Sequence, residues 1–217
     1  RASDRKIAYL YDSFSRWPMS REELASYDEV FSFDPENAKS HGLKKLHNFI
    51  YDDYVADGAP GDYSAFVVMA GKDRVPALEG LANEFDRLGI TDYRFLVQCK
   101  PIPGAHPGIT FFEQRMSLES VGELVKRSRI ILDISKPGQT GLSFRFFEAM
   151  ASRKKVITTN KSVVDYDFYN PANILVIDEN GPVIPEHFIT APYVDIPAPI
   201  YEKYTLQGWV KTVFSLQ

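Results

Sequence analysis

Arg129-Ile130-Ile131-Leu132-Asp133-Ile134 is an unbroken apolar run, and Ser135-Lys136-Pro137-Gly138-Gln139-Thr140-Gly141 is a turn that interrupts it. Leu142 through Ser152 then reads as a helix, with Leu142, Phe146 and Ala149 at helical spacing. A second apolar run, Lys155 to Thr159, follows at once. Strand, turn, helix, strand is a βαβ unit, which predicts a parallel sheet with helices on both faces. The pattern extends outward in both directions. Tyr63 to Ala70 is a strand, and Leu78, Leu81, Phe85 and Leu88 share one face of the helix after it, which Gly89 ends. Tyr93 to Gln98 is a strand, 100–110 a Pro/Gly loop, and Ser117 caps a helix reaching Lys126. Asn173 to Ile177 is a further strand, and Tyr204 to Leu216 a terminal helix with Trp209, Val210, Val213 and Phe214 on its apolar side.

The first 57 residues repeat the theme in shortened form. Lys6 to Tyr11 and Glu29 to Phe33 are strands, and Leu43 to Ile50 is extended. Ser20 and Glu23 make a capping box; Asp34 and Pro35 open a helix that Gly42 closes. These strands look like the closing part of a sheet whose beginning lies elsewhere. The expected organisation is therefore 1–57, the end of one α/β domain; 58–203, a second; and 204–217, a helix returning to the first. Asp57-Gly58-Ala59-Pro60-Gly61 is the linker.

Composition bounds the chemistry. The 217 residues hold 25 Lys plus Arg against 29 Asp plus Glu, a net charge of −4, so no basic field exists for nucleic acid. One cysteine, Cys99, forbids an internal disulfide and fits a reducing compartment. No apolar run approaches the roughly 20 residues of a membrane span. No GxGxxG follows a strand, no GxxxxGK[ST] or GxSxG occurs, and the four histidines have no zinc spacing. Asp165-Tyr166-Asp167 has the form of a DxD metal motif but lies in a polar connection, so no metal is assigned. In a parallel sheet ligands sit at the carboxyl ends of strands, which directs attention to the turns after Ala70, Gln98 and Ile134. A glycine-containing turn before a helix exposes backbone N–H groups at a positive dipole end and suits a diphosphate. Gly71-Lys72-Asp73-Arg74 adds Lys72 and Arg74, whose charges suit phosphate. Arg145 lies one turn before Glu148 and either neutralises it or reaches phosphate.

Thr140-Gly141-Leu142-Ser143, Phe146-Phe147-Glu148-Ala149-Met150-Ala151 and Lys155-Val156-Ile157-Thr158-Thr159 together resemble the donor-nucleotide signature of GT-B glycosyltransferases. Tyr9-Leu10-Tyr11-Asp12-Ser13, Val30 to Glu36 and Thr159-Asn160-Lys161 resemble, more loosely, the bacterial subgroup serving capsule and lipopolysaccharide sugars. The resemblance implies two Rossmann-like domains about a cleft, here the C-terminal one plus a partial N-terminal segment. It implies a nucleotide-sugar donor as substrate, no cofactor, and transfer to a glycan or lipid-linked sugar acceptor without a metal. It also implies a cytoplasmic protein, at the inner membrane face through peripheral association of a fuller N-terminal domain. In that family two glutamates are separated by seven residues, and the second binds the ribose hydroxyls. Glu148 matches the second; the first falls on Thr140, a departure from the pattern. The donor-binding residues so expected are Gly71, Lys72, Arg74, Arg115, Met116, Gln139, Thr140, Gly141, Leu142, Ser143, Arg145 and Glu148, with no catalytic base assigned. A chain lacking roughly half or more of its acceptor-side domain is expected to bind nucleotide and to transfer sugar poorly or not at all alone. Two other readings stay open: a non-catalytic nucleotide-binding module, and a sugar-nucleotide 2-epimerase.

Overall fold

The computed structural model describes residues 5–14, 16, 18–56 and 61–216. Its chain forms two parallel sheets. The first carries β1 (Ile7–Leu10), β2 (Glu29–Ser32) and β3 (Lys44–Lys45) in that order, with α1 (Arg21–Ala25) and α2 (Pro35–His41) between them. The capping box forms: the Ser20 hydroxyl accepts from the Glu23 amide, and the Glu23 carboxylate accepts from the Ser20 amide. Asp34 caps α2, Pro35 is its first residue, and Gly42 closes it in the left-handed conformation at φ 66°.

The second sheet holds β4 (Tyr63–Ala70), β5 (Arg94–Gln98), β6 (Ile109–Phe112), β7 (Ser128–Asp133), β8 (Lys155–Thr158) and β9 (Ile174–Val176). Their order is β6-β5-β4-β7-β8-β9, all parallel. Helices α3 (Val75–Arg87), α4 (Leu118–Lys126), α5 (Phe144–Ala151), α6 (Glu186–Thr190), α7 (Ala198–Tyr204) and α8 (Leu206–Phe214) complete the chain. Alternate residues of one strand feed opposite layers. Ala65, Val67 and Met69 join α3 and α6 in one core, whereas Phe66 joins α4 and α5 in the other. Ile130, Ile131 and Leu132 are each almost fully buried, as a strand covered on both faces requires. The α/β class with helices about parallel sheets is thus what the alternation of apolar runs implied.

Several elements differ from the sequence expectation. The strand β6 lies at the end of the stretch read as loop, where Ile109-Thr110-Phe111-Phe112 pairs with β5. The extended stretch 43–50 contributes only the two-residue β3 and a bridge from Ile50 to Thr205. The terminal helix expected over 204–216 is α8, which opens two residues later; Thr205, whose extended backbone ends the unexpected α7, caps it through a hydroxyl that accepts from the Gly208 amide. The expected linker falls on residues 57–60, outside the described residues; Gly61 follows, where a Cβ would stand 2.5 Å from the backbone of Arg127 and Ser128.

Helix α8 packs on the first sheet. Val213 is buried against Phe31 and Leu46, and the Trp209 ring meets Tyr9 edge-on at 5.1 Å. The Trp209 indole donates to the His47 carbonyl at 3.1 Å. Phe214 is half exposed instead of sharing this face. Among the described residues no helix is long and apolar enough to cross a membrane.

Candidate functional site

Strand order in the larger sheet reverses at β4, with β5 on one side and β7 on the other. At such a switch point the loops after the two strands diverge to opposite faces and leave a crevice. A cavity of about 510 Å³ occupies it, floored by the ends of β4 and β7 and lined by Gly71, Arg74, Asp133, Ser143 and Arg145. Arg16 from the first segment and Lys136 complete the wall, with Asp73 at its edge. An adjoining cavity of about 170 Å³ shares Arg74, Asp133, Lys136 and Ser143 and reaches Asp12, Phe33 and Asn48. Four cations thus face two carboxylates in the larger cavity, in a chain whose net charge is negative.

Each wall residue has a structural cause. Gly71 takes φ 87°, a conformation that favours glycine, and turns the chain from β4 toward α3. Arg74 reaches across the switch point, donating to the carbonyls of Ala70 at 2.8 Å and Ile134 at 2.7 Å. Its Nε is buried without a partner. Burial lowers the Arg74 pKa, against the opposing pull of Asp73 and Asp133. Ser143 caps α5, accepting from the Arg145 amide, and donates its own proton to Asp133 at 2.5 Å. Thr158 donates to the other Asp133 oxygen at 3.0 Å. Burial dominates at Asp133 and raises its pKa, although those two hydroxyls and the charges of Arg74 and Arg145 work the other way. Lys136 and Arg16 both pair with Asp12, at 3.2 and 3.0 Å, so one carboxylate on the first segment holds two cavity cations.

Glu148 lies on α5, buried, paired with Arg145, which itself faces the cavity. Burial, with the Glu148 charge second, pushes the Tyr54 pKa up to about 12. Of the two roles open to Arg145, neutralising Glu148 is the one formed here. Glu148 does not line the cavity itself.

The turn expected to cradle phosphate is differently engaged. Asp34 accepts from the Thr140 amide at 2.8 Å, the Gly141 amide at 2.9 Å and the Thr140 hydroxyl at 2.7 Å. The two amides expected to be free are therefore occupied, because a buried carboxylate from the first segment reaches them. Gly141 is pressed against Phe33, where a Cβ would stand 2.7 Å from the ring and from the carbonyl oxygen. Leu142 is a core residue whose carbonyl accepts from Asn48 at 3.0 Å. Gln139 lines the smaller cavity. Lys72 and Arg115 are exposed and Met116 packs on the α4–α5 core; none of the three lines either cavity.

Sequence reading missed Arg16, Asp12, Asp133, Lys136, Asp34 and Asn48 as parts of this site. Asp133 had a signal, a carboxylate closing an apolar strand, and Lys136 stands just after it. Asp34 and Asn48 had none, since their partners lie 94 to 107 residues away. Asp167, from the DxD-like triplet, pairs with Lys203 and the Tyr204 hydroxyl, and lines neither cavity.

No known protein family matches the chain, and no curated protein matches it. Solved structures do. A UDP-forming α,α-trehalose-phosphate synthase from Burkholderia xenovorans is similar at TM-score 0.55 and 14% identity, over 98% of this chain and 68% of that one. The Gap123 glycosylation-associated protein complex from Streptococcus agalactiae is similar at 0.49 and 11%, over 97% of this chain and 50% of that one. A UDP-GlcNAc 2-epimerase from Neisseria meningitidis is similar at 0.45 and 13%, over 95% and 66%. The chain thus spans between half and about two thirds of these proteins' length. What the first of these likenesses shows is the fold: the α/β, Rossmann-like architecture of GT-B proteins.

Proposed function

We propose that this chain is the donor-binding part of a nucleotide-sugar-dependent glycosyltransferase, with the end of its acceptor-side domain. One observation carries the reading: Arg16, Arg74, Lys136 and Arg145 converge on a cavity at the switch point of a GT-B fold, at the N-terminal end of α5. Such a cavity suits a nucleoside diphosphate. The cations would hold the donor's diphosphate and stabilise the charge that develops on it as the sugar departs, a term usually large in group transfer. The similar trehalose-phosphate synthase is UDP-forming, which makes UDP the first nucleotide to test. The acceptor is a glycan or lipid-linked sugar of a surface polysaccharide, capsule or lipopolysaccharide; the sequence resemblance supports this. The twelve donor-site residues named from sequence remain part of the proposal, with Arg16 and Lys136 added. The proposed unit boundaries are 1–57, 58–203 and 204–217.

Melting curves with UDP, GDP, ADP and CMP test it. A ligand at 100 times its Kd stabilises the fold by about 2.7 kcal/mol, and UDP should raise the melting temperature while CMP does not. If none of the four raises it, the reading falls. A second reading, a nucleotide-binding module without turnover, is favoured by Thr140 at the first glutamate position and by Asp34 on the turn amides. Release of UDP from UDP-glucose or UDP-N-acetylglucosamine in the presence of acceptor separates the two.

A further inference from the structure

The N-terminal segment contributes one buried ionised group that the donor-site reading does not use. Asp34 is 1% exposed. Besides capping α2 through the amides of Glu36 and Asn37, it takes three bonds from Thr140 and Gly141. Burial disfavours its charge, but these amides and the Thr140 hydroxyl outweigh that and hold its pKa below the ordinary carboxylate value. The turn's carbonyls are consumed too. Thr140 O accepts from Ser162 and Asn160, Gly141 O from Gln139 and Asn160, and Leu142 O from Asn48. Ser143 and Arg145, which face the cavity, follow this turn directly.

We infer that Asp34 is a positioning residue of the donor cavity, an inference that rests on the donor-site reading above. Its carboxylate fixes the 139–142 turn, and so sets where Gln139, Ser143 and Arg145 stand against the ligand. The diphosphate is then met by side chains, while the amides of Thr140 and Gly141 stay with Asp34 whether or not ligand is bound. A carboxylate on loop amides could instead imitate the ligand and leave when it arrives. Burial and saturation speak against that: its departure would strand the amides of Asn37, Thr140 and Gly141 and uncap α2.

The test is the Kd of UDP, by calorimetry well below each variant's melting temperature, for wild type, Asp34→Asn, Thr140→Val and Arg74→Ala. Asparagine keeps the size but turns an NH₂ group toward N–H donors. Asp34→Asn should weaken UDP about tenfold, and Thr140→Val, which removes one donor from the same carboxylate, several-fold in the same direction. Unchanged UDP affinity with a lowered melting temperature would make Asp34 purely structural and overturn the inference. Tighter UDP binding would overturn it the other way, showing a carboxylate that competes with ligand. Should Asp34→Asn not fold, Thr140→Val decides by the same criteria. If Arg74→Ala weakens UDP while the other two variants leave it alone, the donor site stands and this inference alone falls. If wild type binds neither UDP nor pyrophosphate, both fall.

Discussion

Replacing Glu148 by glutamine tests two claims at once. In the folded chain the carboxylate is buried, its side chain 8% exposed, and pairs with Arg145, whose side chain is 23% exposed. Breaking a fully buried ion pair costs about 3–5 kcal/mol, and an exposed one contributes roughly 0–1 kcal/mol. Because Arg145 keeps partial access to water, a value between these, about 2 kcal/mol, is expected. For a chain of this length that corresponds to a fall of about 4–8 °C in melting temperature. Glutamine keeps the size and an acceptor oxygen but offers Arg145 no charge, so the loss is assigned to the pair. The second claim concerns ligand. If the Glu148 carboxylate also receives the ribose hydroxyls, UDP affinity falls by about tenfold in the variant, about 1.4 kcal/mol. A 2′,3′-dideoxy nucleotide diphosphate should then bind wild type and variant alike. Calorimetric melts without ligand and titrations with both nucleotides give every number needed. An unmoved melting temperature would show that the Arg145 pair does not hold the helix. A melting temperature that falls while UDP affinity stays constant would leave Glu148 as a structural partner of Arg145 and remove its ribose role.

Other expectations follow from single contacts. Asp133 has a raised pKa, so it costs stability as pH rises from its unfolded value of about 3.9 toward the folded one. The stability difference between Asp133→Asn and wild type should grow in the variant's favour across that window, and urea melts at successive pH values showing a flat difference would contradict this. Gly141→Ala drives a methyl into Phe33 and should cost about 1–3 kcal/mol, read as a lower urea midpoint. Trp209→Ala removes ring contacts with Tyr9 and Phe49 and the bond to His47, for about 2 kcal/mol. Equal midpoints for that variant and wild type would mean that α8 does not stabilise the first sheet.

Local order was legible because local chemistry specifies it. Ser20 with Glu23, Asp34 with Pro35, Gly42 and Ser117 each stand at the helix end where the sequence put them. Helix α3 shows its buried face in Leu78, Leu81 and Phe85. Strand β6 escaped notice since its four residues follow a Pro/Gly stretch and pair only through β5. Helix α7 escaped notice too. The residues that announced the terminal helix, Trp209, Val210, Val213 and Phe214, all lie beyond Thr205, where α7 ends and the Ile50 bridge forms. At the site, Arg74 and Arg145 could be named from strand-end and helix-start positions. Arg16 and Asp12 could not, because only the docking of the two sheets brings them to the walls of the two adjoining cavities.

That docking also accounts for the one departure from the donor signature. At position 140 the signature carries a glutamate, where this chain has threonine. Here residue 140 sits against the buried carboxylate of Asp34, and its hydroxyl donates to that carboxylate at 2.7 Å. A glutamate in the same place would offer only acceptors and would set a second negative charge beside one that water cannot screen. Like charges at hydrogen-bonding distance in a buried site force one to take up a proton or move away. Threonine turns the same position into a donor and lets the turn close on the first segment. The Asp34 carboxylate and the hydroxyl at 140 are therefore two halves of one arrangement. Thr140→Glu should loosen the 139–142 turn, whereas Asp34→Asn in the Thr140→Glu background should restore part of the lost stability. A double mutant no more stable than Thr140→Glu alone, measured by urea unfolding, would break the link between the two residues.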